Sequence, residues 1–192
     1  MCNSIIWKEE NHRIIYSCPV FKVGERICRS PENKLKTYTV LDTSDWAITI
    51  PVLETEEGRF FIMVRQWRPG IGNLSLEFPG GVFNQDENSL QAAQRELKEE
   101  TGYTAGKITK LGEFSPNPAI MSNTVHFFLG EELVNSGIQN LDDDEYVKVE
   151  KIEWETVFNN MGKPPYSHAL MGTAMMLYLR HKKAGVPSGN SG

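Results

Sequence analysis

The chain has 192 residues, enough to bury one sizeable core, and no Pro/Gly/Ser-rich linker or shift of composition divides its middle. The formal net charge is −5 and the lysines are scattered, which argues against a nucleic-acid module but leaves room for a local phosphate pocket. No run of 18 apolar residues is present to span a membrane and no leading basic-then-apolar segment suggests secretion; Cys2, Cys18 and Cys28 lack zinc-type spacing or histidine company, so reduced thiols in a cytoplasmic protein are expected.

Strand-like patterns run at about 12–17, 19–28, 35–41, 45–53 and 59–66, with Glu54 to Gly58 as a hairpin turn between the last two. A further strand is predicted at about 74–77, then a helix with Asn88 as N-cap, Gln91 as its capping-box partner and Gly102 as a left-handed stop. Strands follow at about 106–114, 123–130 and 145–151, a short helix at about 153–160, a break at Gly162-Lys163-Pro164-Pro165, and a final helix from about Ser167 to Arg180. Mixed strands with helices on either side suit an α/β/α sandwich, with the glutamate-rich helix between strands of the central sheet where a cleft can form. Residues 185–192 read as a loose tail.

The most informative segment is Gly81 to Tyr103, GVFNQDENSLQAAQRELKEETGY, which places Glu96, Glu99 and Glu100 within five residues of the predicted helix. Glu96 and Glu100 are four apart, on one helix face, close enough to share a hard cation. Without a cation they repel by roughly 0.2–0.5 kcal/mol when exposed, and Mg²⁺ or Mn²⁺ with oxygen ligands reverses that sign. Leu90, Ala93 and Leu97 form the apolar stripe, with both glutamates at its edge. Glu99 neighbours Arg95 across one turn, an ion pair suited to orienting the cluster. A solvated Glu-rich helix is the bland alternative; the joint pattern of Pro79-Gly80-Gly81, Glu87, Arg95 and three glutamates outweighs it.

These residues resemble the Nudix box, Gly-x5-Glu-x7-Arg-Glu-aliphatic-x-Glu-Glu-x-Gly-hydrophobic, at every specified position: Gly81, Glu87, Arg95, Glu96, Leu97, Glu99, Glu100, Gly102 and Tyr103. The resemblance implies a Nudix-like α/β/α sandwich with a mixed central sheet and an N-terminal β extension. It also implies hydrolysis of a nucleoside diphosphate linked to another moiety, with Mg²⁺ or Mn²⁺ held by Glu96 and Glu100, with Glu99 as a further ligand or orienter, and with the carbonyl of Gly80 as an additional ligand. Residues 65–81, RQWRPGIGNLSLEFPGG, and Pro116-Asn117-Pro118-Ala119 with Ser122-Asn123 resemble the ADP-ribose pyrophosphatases and related nucleotide-sugar hydrolases. Those relatives usually have Tyr where Trp67 stands and often Pro-Ala-Gly where this chain has Pro79-Gly80-Gly81.

Arg65 and Arg68 are expected to contact phosphate, since a guanidinium binds it in a two-pronged geometry; structural ion pairs are the alternative. Glu77 is expected near the metal or as a partner of Arg65. In the resembling ADP-ribose enzymes the general base comes from an acidic loop between late strands. Leu141-Asp142-Asp143-Asp144-Glu145 occupies that place, with Glu145 the first choice and Asp143 the second; a solvated acidic turn is the common alternative. Glu99 and Glu100 are counted with the catalytic set. Phe21 and Trp46 are candidates to stack on a base, as is Trp67, whereas Phe127, Phe128 and Tyr178 suit a core. His126 and His168 lack metal-ligand company, and Met161, Met171, Met175 and Met176 read as packing. The expected organisation is a dimerising β region at 1–42, a catalytic domain at 43–184 and the tail. The expected partners are a small nucleoside diphosphate sugar and a second copy of the chain, with neither nucleic acid nor membrane. Competing readings are a GDP-mannose or ADP-glucose hydrolase, a triphosphate house-cleaning hydrolase and a noncatalytic nucleotide-binding regulator.

Overall fold

The computed structural model describes residues 4–141 and 146–184. Its elements in chain order are β1 (Lys8–Ser17), β2 (Lys22–Arg29), β3 (Leu35–Asp42), β4 (Trp46–Thr55), β5 (Gly58–Arg68), β6 (Asn73–Glu77), β7 (Gly80–Val82), α1 (Ser89–Thr101), β8 (Tyr103–Phe114), β9 (Val125–Asn135), β10 (Lys148–Glu153), α2 (Trp154–Asn160) and α3 (Ala169–Ala184). They form two compact units, one running to Asp45 and including Phe114–Thr124, the other comprising Trp46–Glu113 and the chain from Val125 onward. Among the described residues no helix is long and apolar enough to cross a membrane.

The first unit is an antiparallel sheet in the order β1-β2-β3, the N-terminal β extension. Gly24 in its middle strand leaves room for two side chains: a Cβ there would fall 2.3 Å from His12 Nε2 and 2.9 Å from Asp42 Oδ2 and would push them aside. Those two side chains meet over it at 2.9 Å. Residues 114–124 join the same unit through Leu41, whose N–H donates to the Ile120 carbonyl and whose carbonyl accepts from the Ser122 N–H.

The second unit is a mixed sheet in the order β10-β5-β4-β9-β8, with β6 on β5 and β7 on β4. β4 and β9 run parallel over Trp46↔Val125 to Pro51↔Gly130, while the β4–β5 hairpin is antiparallel. β4 meets β5 only from Val52 to Thr55; towards its start, Trp46 to Ile48 pair with β7 instead. The two neighbours diverge along β4, and α1 packs across that divergence against β4, β5, β7 and β9. Period-two alternation then separates two cores. Ile48, Ile50, Val52, Phe61, Met63, Leu76, Phe78, Phe127 and Leu129 face α2 and α3, where Val157, Met171, Met175 and Tyr178 are buried. Ala47 and Phe128 face Ala92 and Ala93 of α1.

Three expectations change. β7 is an addition to the strands the pattern predicts, since two of its three residues are glycines with no apolar alternation to read. It lies so close to β4 that a Cβ on Gly80 would sit 2.3 Å from the Ala47 carbonyl oxygen, so a Pro-Ala-Gly sequence here requires wider strand spacing. Leu90 leaves the expected stripe and is 42% exposed, while Ala92 is buried; small side chains let α1 approach the sheet closely. Met176 is likewise exposed rather than packed, because it falls on the outer face of α3 between Met175 and Leu177, which are buried.

Candidate metal and phosphate site

The local signals at α1 act as the sequence suggests. The Asn88 side chain accepts from the N–H groups of Leu90 and Gln91, Gln91 reciprocates on the Asn88 N–H, and Gly102 closes the helix at φ 72°. The helix is fixed to the sheet from within. The hydroxyl of Thr49 in β4 donates to the Ala93 carbonyl at 3.1 Å, and its N–H donates to the Pro79 carbonyl at 2.9 Å. One buried residue thus ties the helix to the turn leading into Gly80.

The acids of α1 converge on that turn. Glu100 is buried, and its carboxylate accepts the Gly80 N–H at 2.9 Å. The Glu96 carboxylate lies over Gly81, where a Cβ would approach its Oε1 to 2.4 Å; the absent side chain makes the space the carboxylate occupies. Arg95 organises the rest. Its Nε and Nη2 fork onto Glu87 at 2.9 Å each, Nη1 donates to Glu96 at 2.8 Å and Glu99 at 3.0 Å, and Nη2 also reaches the Val82 carbonyl. Hydrogen bonding by Arg95 holds the Glu87 carboxyl below its usual range, and the same contacts raise the guanidinium further above its own.

Among the described residues no three His, Cys, Asp or Glu side chains are grouped as a metal cage; Glu96 and Glu99 are drawn to Arg95 and Glu100 to a backbone N–H. The donor set nevertheless fits a hard divalent ion. Its groups are carboxylate and carbonyl oxygens, and residues 81–103 carry five carboxylates against two cations. Glu99 and Glu100 also stand in the last turn of α1, where the helix dipole disfavours anions. A cation there relieves both penalties.

The two arginines separate by strand alternation. Arg65 follows Phe61 and Met63 onto the α3 side of β5 and forks onto Glu150 at 2.7 and 2.9 Å. Arg68 lies on the opposite side, the one α1 covers, and forks onto the buried Glu77 at 2.9 and 2.7 Å. The pairing of Glu77 with Arg65 is therefore not formed: positions 65 and 77 fall on opposite faces, and Arg65 sits opposite Leu76 in the ladder. Trp46 is partly buried on the α3 side, in register with Ile48. Phe21 belongs to the first unit, where it lines a cavity of about 300 Å³ with Lys22, Asp42 and Ser44. Asp143 and Glu145 lie outside the described residues. Sequence reasoning missed Glu150 and Thr49, which carry no motif; once β5 extends to Arg68, its alternation does separate the two arginines.

A family profile for the NUDIX domain matches residues 44–168. The chain is 42% identical over 102 residues to an ADP-ribose pyrophosphatase of Bacillus subtilis (strain 168), covering 53% of this chain and 55% of that protein. It is 38% identical over 108 residues to a mouse (Mus musculus) ADP-sugar pyrophosphatase, covering 50% and 48%, so these matches span about half of each relative. A GDP-mannose pyrophosphatase of Klebsiella pneumoniae is 30% identical over 149 residues, 68% of either chain. A crystal structure of an ADP compounds hydrolase superposes with a TM-score of 0.82 over 95% of this chain and 98% of that one at 20% identity, a likeness of fold. With the profile spanning most of the chain and the box helix set against the Gly80 turn, this protein belongs to the Nudix family.

Proposed function

We propose that this chain hydrolyses the pyrophosphate bond of ADP-ribose or a related nucleoside diphosphate sugar, giving a nucleoside monophosphate and a sugar phosphate. The observation that carries the reading is the placement of Glu96 and Glu100 against the Gly80-Gly81 turn, with Glu99 tied to Glu96 through Arg95 and Glu99 and Glu100 in the dipole-disfavoured last turn of α1. The likeness to the B. subtilis and mouse proteins supports the substrate class. Glu96, Glu100, Glu99 and the Gly80 carbonyl would hold Mg²⁺ or Mn²⁺, which when bound supplies charge neutralisation for the diphosphate. Arg95 orients the carboxylates. Arg68, half-exposed on the α1 side and held in a fork by Glu77, suits one phosphate; Arg65, held by Glu150 on the other side, suits a supporting role. Glu145, with Asp143 next, takes the proton of the attacking water. Trp46, on the same side of the sheet as Arg65, suits packing rather than the base, and the β1–β3 region is proposed to join two copies of the chain in the cytoplasm.

The Klebsiella match, the longest of the relatives described, favours GDP-mannose as a second reading. A panel of ADP-ribose, ADP-glucose, GDP-mannose, NADH, diadenosine polyphosphates and nucleoside triphosphates, compared by kcat/KM with product identification, separates these. ADP-ribose is expected to lead, with ¹⁸O from labelled water in one product phosphate. Glu100→Gln should abolish most turnover while leaving the melting midpoint near wild type, and Glu145→Gln should lower kcat with binding retained. A preference for triphosphates above about tenfold, roughly 1.4 kcal/mol of transition-state discrimination, would overturn the substrate assignment.

A further inference from the structure

The last turn of α1 is held by a segment distant in sequence. A helix leaves its final carbonyls without partners inside the helix, yet here those of Lys98, Glu99 and Glu100, and that of the capping Gly102, are taken up. The Lys98 carbonyl accepts the Gly102 N–H at 2.8 Å, that of Glu99 the Asn140 N–H at 2.9 Å, that of Glu100 the Gln139 Nε2 at 2.6 Å, and that of Gly102 both the N–H and the hydroxyl of Ser136 at 2.9 and 2.7 Å. A Cβ on Gly102 would stand 3.1 Å from the backbone of Ile138, so the glycine that ends the helix also lets residues 136–140 lie flat against it. Burial does not hold this segment: Ile138 is 72% exposed, and Gln139 and Asn140 are exposed too. Its donors do.

Glu100 is consequently gripped at two points, its carbonyl by Gln139 and its carboxylate by the Gly80 N–H. Glu96 and Glu100 share one face, so rotation of the last helical turn would carry Glu100 away from both the Gly80 turn and Glu96. We propose that Gln139 is a positioning residue: by holding the Glu100 carbonyl it fixes the rotation of that turn, so that the α1 carboxylates offer one geometry to a divalent cation. The proposal rests on the metal reading given above.

Three variants test it. Gln139→Ala and, at neutral pH, Gln139→Glu have no donor for the carbonyl, whereas Gln139→Lys keeps one whose charge suits a helix C-terminus. Amide exchange of the last turn in metal-free protein, Mn²⁺ binding followed by electron paramagnetic resonance without substrate, and kcat with KM are read for each. The two donor-free variants should exchange faster, bind Mn²⁺ about tenfold more weakly and lose about tenfold in kcat, with KM within about twofold. Gln139→Lys should return all three towards wild type. Faster exchange with unchanged Mn²⁺ affinity would reduce Gln139 to a helix cap, and unchanged exchange would remove the grip itself. Failure of wild type to bind Mn²⁺ would sink the metal reading and this role with it, whereas normal wild-type binding with an indifferent Gln139→Ala sinks the positioning role alone.

Discussion

Replacing Arg95 by alanine removes a guanidinium that uses every nitrogen it has, on Glu87, Glu96, Glu99 and the Val82 carbonyl. Three carboxylates lose this cation at once, and the side chains of Glu87 and Glu96 are each only 12% exposed. Truncating one member of a fully buried pair costs about 3–5 kcal/mol, whereas an exposed pair contributes about 0–1 kcal/mol. Arg95 is 24% exposed, so water replaces part of what is lost, and a cost of about 2–4 kcal/mol follows. For a domain of this size each kcal/mol moves the midpoint by roughly 2–4 °C, so calorimetry should show a fall of about 5–15 °C. Arg95→Lys keeps the charge but not the fork and should recover less than half of it. Mn²⁺ at ten times its dissociation constant should return about 1.4 kcal/mol to any variant that still binds it. An alanine variant melting within about 2 °C of wild type would refute the view that Arg95 holds the carboxylates together.

Burial pushes the Glu77 carboxyl up, but the forked hydrogen bonds and charge of Arg68 outweigh it and leave it below the ordinary 4.5; Glu87 and Glu150 are lowered by Arg95 and Arg65. Carboxyls depressed in the folded state stabilise it fully above their unfolded pKa and lose that contribution as pH falls through the folded one. The melting midpoint should therefore fall with acid below about pH 4.5. Glu77→Gln should cost about 2–3 kcal/mol at neutral pH by turning the buried carboxylate in the Arg68 fork into a neutral amide, and should flatten the acid limb; an unchanged limb contradicts the assignment. Arg68→Ala should raise KM for the preferred substrate about tenfold, while Arg65→Ala at matched stability stays within about threefold, a contrast steady-state kinetics can reverse.

What the sequence made legible was local. Asn88, Gln91 and Gly102 report their own caps, and the i, i+4 spacing of Glu96 and Glu100 needs no partner strand to be read. What escaped it depends on contacts between distant segments. Glu150 reaches Arg65 from a strand 85 residues away, and the side of the sheet each arginine occupies follows only from where β5 ends. Gln139 looks like an ordinary loop residue until its amide is seen on the Glu100 carbonyl. Ala92 and Ala93 carry too little hydrophobic signal to outrank Leu90, although their small size brings α1 close to Ala47 and Phe128.

The parallel pairing of β4 with β9 sets when the carboxylate site can exist. Val125 joins Trp46 roughly eighty residues later in the chain, and the entropy of closing a loop that long must be met before the pairing stabilises anything. During synthesis, β4, β5, β6, β7 and α1 emerge first, but Phe128 in the floor under Ala92 and Ala93 arrives only with β9. A nascent chain stopped short of Val125 therefore carries every box residue with Ala47 and Thr49 beneath the helix, but lacks Phe128 and the parallel neighbour of β4, so full metal affinity should come only once the central sheet is complete.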